Sequence, residues 1–240
     1  MPHHDYRELA AELESLLRLG SPPLAISFSG EPPSGVPLYE GRAPEPTADG
    51  RTGTVPAGCV FWMKATEGTF TTVSEDHANC SVGSLTHGLI DLRSAAAGGD
   101  VAALVEAGWV SEAVFPEIPI VRSRPGYITY GPLRESPVAP DVVFLRLNAK
   151  QAMLLRDALP ELRFEGKPQC HIIPIAKEHG QVAVSVGCML SRVRTGMSNN
   201  EMTCAIPGGR LAELITQLRD SGRADAEVAA YASEDAGRFR

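Results

Sequence analysis

The sequence predicts an α+β protein: a mixed or antiparallel sheet with flanking helices, in two halves that share one layout. Three observations carry this expectation. Strand-length apolar runs at 24–29, 142–147 and 202–206 are separated by stretches of helical periodicity. They do not follow the strict strand–helix alternation of a doubly wound sheet. Short Gly-containing turns at Glu67-Gly68 and His179-Gly180 each sit between apolar segments, which is a hairpin pattern.

The elements follow in order. Asp5 with Glu8 three residues later makes a capping-box-like start for a helix. Tyr6, Leu9, Ala10, Leu13, Leu16 and Leu17 form its apolar face, and Gly20 with Pro22-Pro23 stops it. A strand follows over 24–29. Residues 30–56 are rich in Gly and Pro and form a long surface loop, mobile in its centre (42–54). Strands are expected at 60–65 and 69–73, and helices at 83–92 and 100–107. Residues 115–126 form a Pro-punctuated connection. The β-branched run 142–147 is a buried strand, and Asn148 caps a helix over 149–159 that Pro160 ends. A second hairpin is expected from 170–176 and 181–186, then a strand at 202–206 and an amphipathic helix over 208–220. Residues 1–220 read as a single domain, with a charged, Ala-rich tail over 221–240.

Composition narrows the function classes. The 240 residues are 43% hydrophobic and 21% charged, ordinary values for a globular chain. The net charge is −7 with both signs mixed along the chain, which argues against a nucleic-acid partner. No apolar run approaches the roughly 18–20 residues that span a bilayer. The polar start lacks a signal-peptide core, so the expected location is cytoplasmic. P-loop, Gly-x-Gly-x-x-Gly, His-Glu-x-x-His, Gly-x-Ser-x-Gly and EF-hand patterns are absent.

The cysteines carry the chemistry. There are five, an odd number and too few for a disulfide scaffold, so in a reducing compartment they serve as thiols, metal ligands or catalytic groups. Four of them mark the repeated layout. In the first half a strand leads to Cys59, an apolar segment, Gly68, a second segment and Cys80. In the second half a strand leads to Cys170, Gly180 and Cys188 in the same order. A hairpin brings its two ends back to one edge, with strands about 4.8 Å apart, so each pair is expected to meet. If the halves pack about a twofold, both pairs converge.

Thiolate-rich sites take iron–sulfur clusters, zinc or copper(I). The expected cofactor is therefore an iron–sulfur cluster or another thiophilic metal held by Cys59, Cys80, Cys170 and Cys188, with a small-molecule ligand or a redox partner. Three ligands with one open position would make an enzyme; four would favour electron transfer or structure. The spacing lacks any Cys-x-x-Cys, so two alternatives stand. One is a metal-free binder or enzyme with Cys80, just ahead of a helix, or Cys188 as nucleophile. Arg192, Arg194 and Glu201 would then act on the ligand. The other is a non-catalytic interaction protein with core thiols. Cys204, inside its strand, reads as packing. His77 and His171 adjoin cysteines and are further ligand candidates; His87 and His179 read as core or solvent-facing. Phe61, Trp62, Met63 and Met189 are candidate pocket walls.

These motifs also have a familiar order. Cys59, Cys80-Ser81-Val82-Gly83, Pro140-Asp141-Val142-Val143 and the helix start 148–153 come first. Cys170 before Pro174, Val184-Ser185-Val186-Gly187-Cys188, and Asn200-Glu201-Met202 before Ala205-Ile206-Pro207 follow. Together they resemble the DUF169 family of unknown function. The resemblance implies one folded unit and transfers no mechanism. This chain departs from it in the Pro-rich insertion at 30–56 and in Asn79 before Cys80.

Overall fold

The structure, a computed structural model, describes residues 5–40, 58–166 and 168–238. Helix α1 (Tyr6–Leu17) starts where expected, with the Asp5 carboxylate accepting from the Arg7 and Glu8 N–H groups at 2.9 and 3.4 Å. It ends on Arg18 in the left-handed region (φ 50°), ahead of the expected Gly20 stop. Strand β1 (Leu24–Ser29) follows. Most of the long loop, including its expected mobile centre, lies outside the described residues.

The first expected hairpin does not form. Residues Gly58–Lys64 are a helix, α2, and only Phe70–Thr72 make a strand, β2. Phe61, Trp62 and Ala65 are the buried positions. That spacing is one helical face rather than the alternation of a strand. The helix expected at 83–92 breaks in two, α3 (Ser81–Thr86) and α4 (Leu92–Ala96). Gly88 makes the break. Its φ is +76° and an added Cβ would meet the Val121 carbonyl oxygen at 2.3 Å. The chain continues through α5 (Gly99–Glu106) and a 3-10 turn at Glu112–Glu117 to β3 (Tyr127–Pro132). No strand is expected there from sequence, because β3 is buried on both faces after its first residue and shows no alternation.

Strand β4 (Val142–Leu147) and α6 (Ala149–Ala158) match expectation, with Asn148 and Gln151 forming a reciprocal capping box. A short strand β5 (Arg163–Glu165) follows. The second expected hairpin is also replaced. A 3-10 turn (Gln169–His171) runs into helix α7 (Ile172–His179), and strand β6 is Ala183–Ser185. Ile172 through Ala176 are all buried, so apolar periodicity cannot separate this helix from a strand. Pro174 is tolerated because it lies in the first turn, where N–H groups lack intrahelical partners. Helix α8 (Met189–Thr195), β7 (Met202–Pro207) and α9 (Leu211–Asp235) complete the chain. Helix α9 runs unbroken past residue 220, so the expected tail is the largely exposed continuation of a helix that packs through Leu211, Leu214, Ile215 and Leu218.

Among the described residues seven strands form one sheet in the order β2-β3-β1-β4-β7-β6-β5. The β5–β6 pair is parallel and the rest antiparallel, so the sheet is mixed. Each face carries its own core. Ala25, Val143, Leu145, Cys204 and Ile206 face α1, α6 and α9. Leu24, Ile26, Phe144 and Ala205 face the α2 and α7 side, where the Trp62 ring lies 4.4 Å from that of Phe144. No described helix is long and apolar enough to cross a membrane.

The expected repeat is present in the ladders, residue for residue. β1 pairs with β3 from Leu24↔Pro132 to Ser29↔Tyr127, and β4 with β7 from Val142↔Pro207 to Leu147↔Met202. Outside these, Phe70↔Tyr130 corresponds to Ala183↔Ala205. At the centre, β1 and β4 pair as Leu24↔Phe144 and Ile26↔Val142, with Ala25↔Val143 between them. A twofold passing between Ala25 and Val143 exchanges all of these pairs. It also exchanges two hydrogen bonds beyond the strands: Leu133 N–H to the Pro23 carbonyl and Gly208 N–H to the Asp141 carbonyl, each 2.8 Å.

Candidate functional site

The repeat decides where the four cysteines lie. In each half one cysteine precedes or opens a helix between the first two equivalent strands. Cys59 is the second residue of α2, and Cys170 lies in the 3-10 turn that feeds α7. The other follows the outer strand and N-caps a short helix, Cys80 on α3 and Cys188 on α8. The expected hairpins are absent, yet the positions remain equivalent because strand–helix units replace them. All four cysteines line one cavity on the α2 and α7 side of the sheet. Cys204 is buried on the opposite face, as the packing reading expects.

The cavity is small, about 30 Å³, room for about two water molecules. Trp62, Val82, Leu104, Trp109 and Leu190 supply apolar wall, while Arg194, Ser191, Gln169 and His87 supply polar groups. Among the described residues, no three His, Cys, Asp or Glu side chains stand grouped as a ready-made metal site. The thiols surround a space rather than meet at a point.

Burial keeps three of the four thiols, Cys59, Cys80 and Cys170, protonated when nothing is bound. Burial pushes Cys59 up to about 11, opposed by a hydrogen bond from Ser191 and the charge of Arg194. Cys80 is also raised by burial, against the Gly83 N–H that reaches its sulfur at 3.4 Å and the nearby Arg194 guanidinium. Burial raises Cys170 well above the usual thiol range, and neighbouring cysteines push it the same way. Each of these thiols resists becoming an isolated anion.

Several polar wall atoms are buried without a partner: Trp62 Nε1, Gln169 Oε1 and His87 Nε2. The other end of the Gln169 amide is fixed, its Nε2 donating to Ser191 Oγ at 2.5 Å.

The remaining candidates separate clearly. Arg194 lines the cavity, but Arg192 and Glu201 do not. Arg192 binds the carbonyls of Val186, Ser198 and Glu201 and so clamps the 186–201 segment. Glu201 pairs with Arg146 and accepts from the Ser198 N–H. Their expected role on a ligand therefore becomes a structural one. Of the expected walls, Trp62 takes part, while Met189 is 64% exposed. His171 lines a neighbouring cleft of about 260 Å³ that shares Val82, Leu104, Trp109 and Pro168 with the cysteine cavity. His77 is buried behind Gly58. Sequence reasoning missed His87 as a wall residue. Its one available signal was the spacing of seven from Cys80, close to two helical turns.

A family model for DUF169, described as uncharacterised ArCR, matches residues 12–217 and so spans both halves of the repeat and all four cysteines. No curated protein and no solved structure matches the chain.

Proposed function

We propose that this chain, which belongs to the DUF169 family, is a metal-binding protein in which Cys59, Cys80, Cys170 and Cys188 hold an iron–sulfur cluster or another thiophilic metal. One observation carries this reading: two equivalent pairs of cysteines, distant in sequence, line a single cavity. Cysteines kept only for packing have no reason to line one cavity from equivalent positions of a repeat; soft-metal ligation gives one.

At Cys59, Cys80 and Cys170 the electrostatics support a cation over a bare nucleophile. A nucleophile needs thiolate, and burial holds Cys59, Cys80 and Cys170 above the ordinary thiol range. A bound metal supplies the missing positive charge and displaces the thiol protons outright. The polar walls then gain work to do. Trp62 Nε1 is a donor only, and a metal-bound thiolate or sulfide is an acceptor for it. Arg194 adds a positive charge facing the sulfur-rich site. A single ion fits the cavity volume, whereas a cluster requires the walls to separate.

The test is anaerobic reconstitution of the reduced chain with ferrous iron and sulfide, and in parallel with Zn²⁺. The reading expects a stable complex, protection of four thiols from alkylation, and Cys204 buried throughout. Loading must release protons, so the apparent affinity is expected to rise by at least about tenfold per pH unit between about pH 6 and 8. No uptake of either metal by folded, reduced protein would refute it.

A further inference from the structure

The His87 imidazole is set up to bind something at Nε2. Its Nδ1 lies 2.8 Å from the Gly83 carbonyl oxygen, which can only accept, so Nδ1 carries the proton. Two more donors fix the same carbonyl: the His87 backbone N–H at 3.1 Å and the Thr86 hydroxyl at 2.9 Å. The ring orientation is thus determined by the last turn of α3. In the neutral ring Nε2 then presents a lone pair. That atom is buried, has no hydrogen-bond partner, and belongs to a side chain only 1% exposed in the wall of the cysteine cavity. An imidazole that donates Nδ1–H to a backbone carbonyl and offers a free Nε2 has the arrangement of a metal-ligating histidine.

Cys80 and His87 are the two caps of α3. Both line the same cavity, one from each end of the helix. The Gly83 backbone serves both, its N–H touching Cys80 Sγ and its carbonyl holding His87 Nδ1.

We infer that His87 is a nitrogen ligand of the metal centre through Nε2, making the site a mixed cysteine–histidine one. This rests on the metal-binding reading above and goes beyond it. The twofold does not supply a counterpart: the residue seven beyond Cys188 is Thr195, the last of α8. The ligand set is therefore asymmetric although its four thiols are paired.

The experiment uses the full chain, reduced and loaded with ferrous iron and sulfide, or with Co²⁺ if it takes only a single ion. Pulsed electron paramagnetic resonance of the paramagnetic form, with and without ¹⁵N-histidine labelling, reads the ligand atoms. A directly coordinated histidine nitrogen is expected in the parent protein. It is expected to vanish in His87→Cys, in which the four cavity cysteines remain to hold the metal. His87→Phe keeps a ring but no ligand, and is expected to lose metal at least about tenfold more readily while keeping its thermal melt within a few degrees. A loaded parent with no histidine nitrogen coupling, or a His87→Phe variant that holds metal as tightly as the parent, would overturn the inference alone. A parent that takes up no metal would overturn the metal-binding reading and this inference with it.

Discussion

Replacing Cys170 by Ser is expected to cut metal loading at least about tenfold, and the Cys59→Ser, Cys80→Ser and Cys188→Ser variants are expected to do the same or nearly so. The reason is that all four line one cavity. A hydroxyl has nearly the size of a thiol but is a poor soft-metal ligand, so fold and binding separate. Cys204→Ser is the control. Cys204 lies on the other face of the sheet among Val143, Leu145 and Ile206, where a new buried hydroxyl costs about 1–3 kcal/mol if unsatisfied. That variant is expected to melt lower yet load fully. Metal content per folded chain, measured beside a thermal melt, checks both halves. If Cys204→Ser loads poorly while Cys170→Ser loads normally, the assignment of ligands is wrong.

Phe144→Ala is expected to produce the largest stability loss at a residue outside the site, about 3–5 kcal/mol. Phe144 is 1% exposed on β4, beside the pseudo-twofold, and pairs with Leu24 across it. Its ring packs on Trp62 at 4.4 Å and so joins the sheet to α2, the helix that carries Cys59. Truncation opens a cavity under that helix. The expected outcome is a lower denaturation midpoint with unchanged m-value, together with weaker metal retention because one of four ligands loses its support. Phe144→Leu, which keeps most of the volume, is expected to recover more than half of the lost stability.

How much of this was legible in sequence depends on how clearly each element displays its period. Helix α1 and helix α6 carry their caps openly in Asp5 and Asn148, and β1, β4 and β7 are strand-length, mostly apolar segments, so these five stand where expected. The two hairpins failed for opposite reasons. In 58–64 the buried positions follow a helical face, but β-branched and aromatic residues at Val60, Phe61 and Trp62 favour a strand reading. In 172–179 the helix is apolar on nearly every side and offers no period to read. Tertiary packing decided both. Strands β3 and β5 stayed invisible, one because it is buried on both faces, the other because it is three residues long.

The convergence of the cysteines was legible, but through the wrong structure. Two hairpins were to bring Cys59 to Cys80 and Cys170 to Cys188. Instead a repeat of strand, helix, strand and cap does so, and its twofold joins the pairs. Order along the chain survives such a change of secondary structure because the sheet fixes where each connection begins and ends. His87 was legible only as a spacing of seven from Cys80. Which of its ring nitrogens is tied to the Gly83 carbonyl is something no spacing rule encodes.

The central claim is that the four cavity cysteines hold a metal. The most direct measurement is the visible absorption spectrum of the chain purified without oxygen, with iron, sulfide, zinc and copper determined on the same sample. The account predicts near-stoichiometric soft metal: with iron and sulfide, a brown protein absorbing near 400 nm that bleaches on reduction; with zinc or copper(I), a colourless one with protected thiols. A folded, colourless chain free of all four, with Cys59, Cys80, Cys170 and Cys188 still reduced, would contradict it.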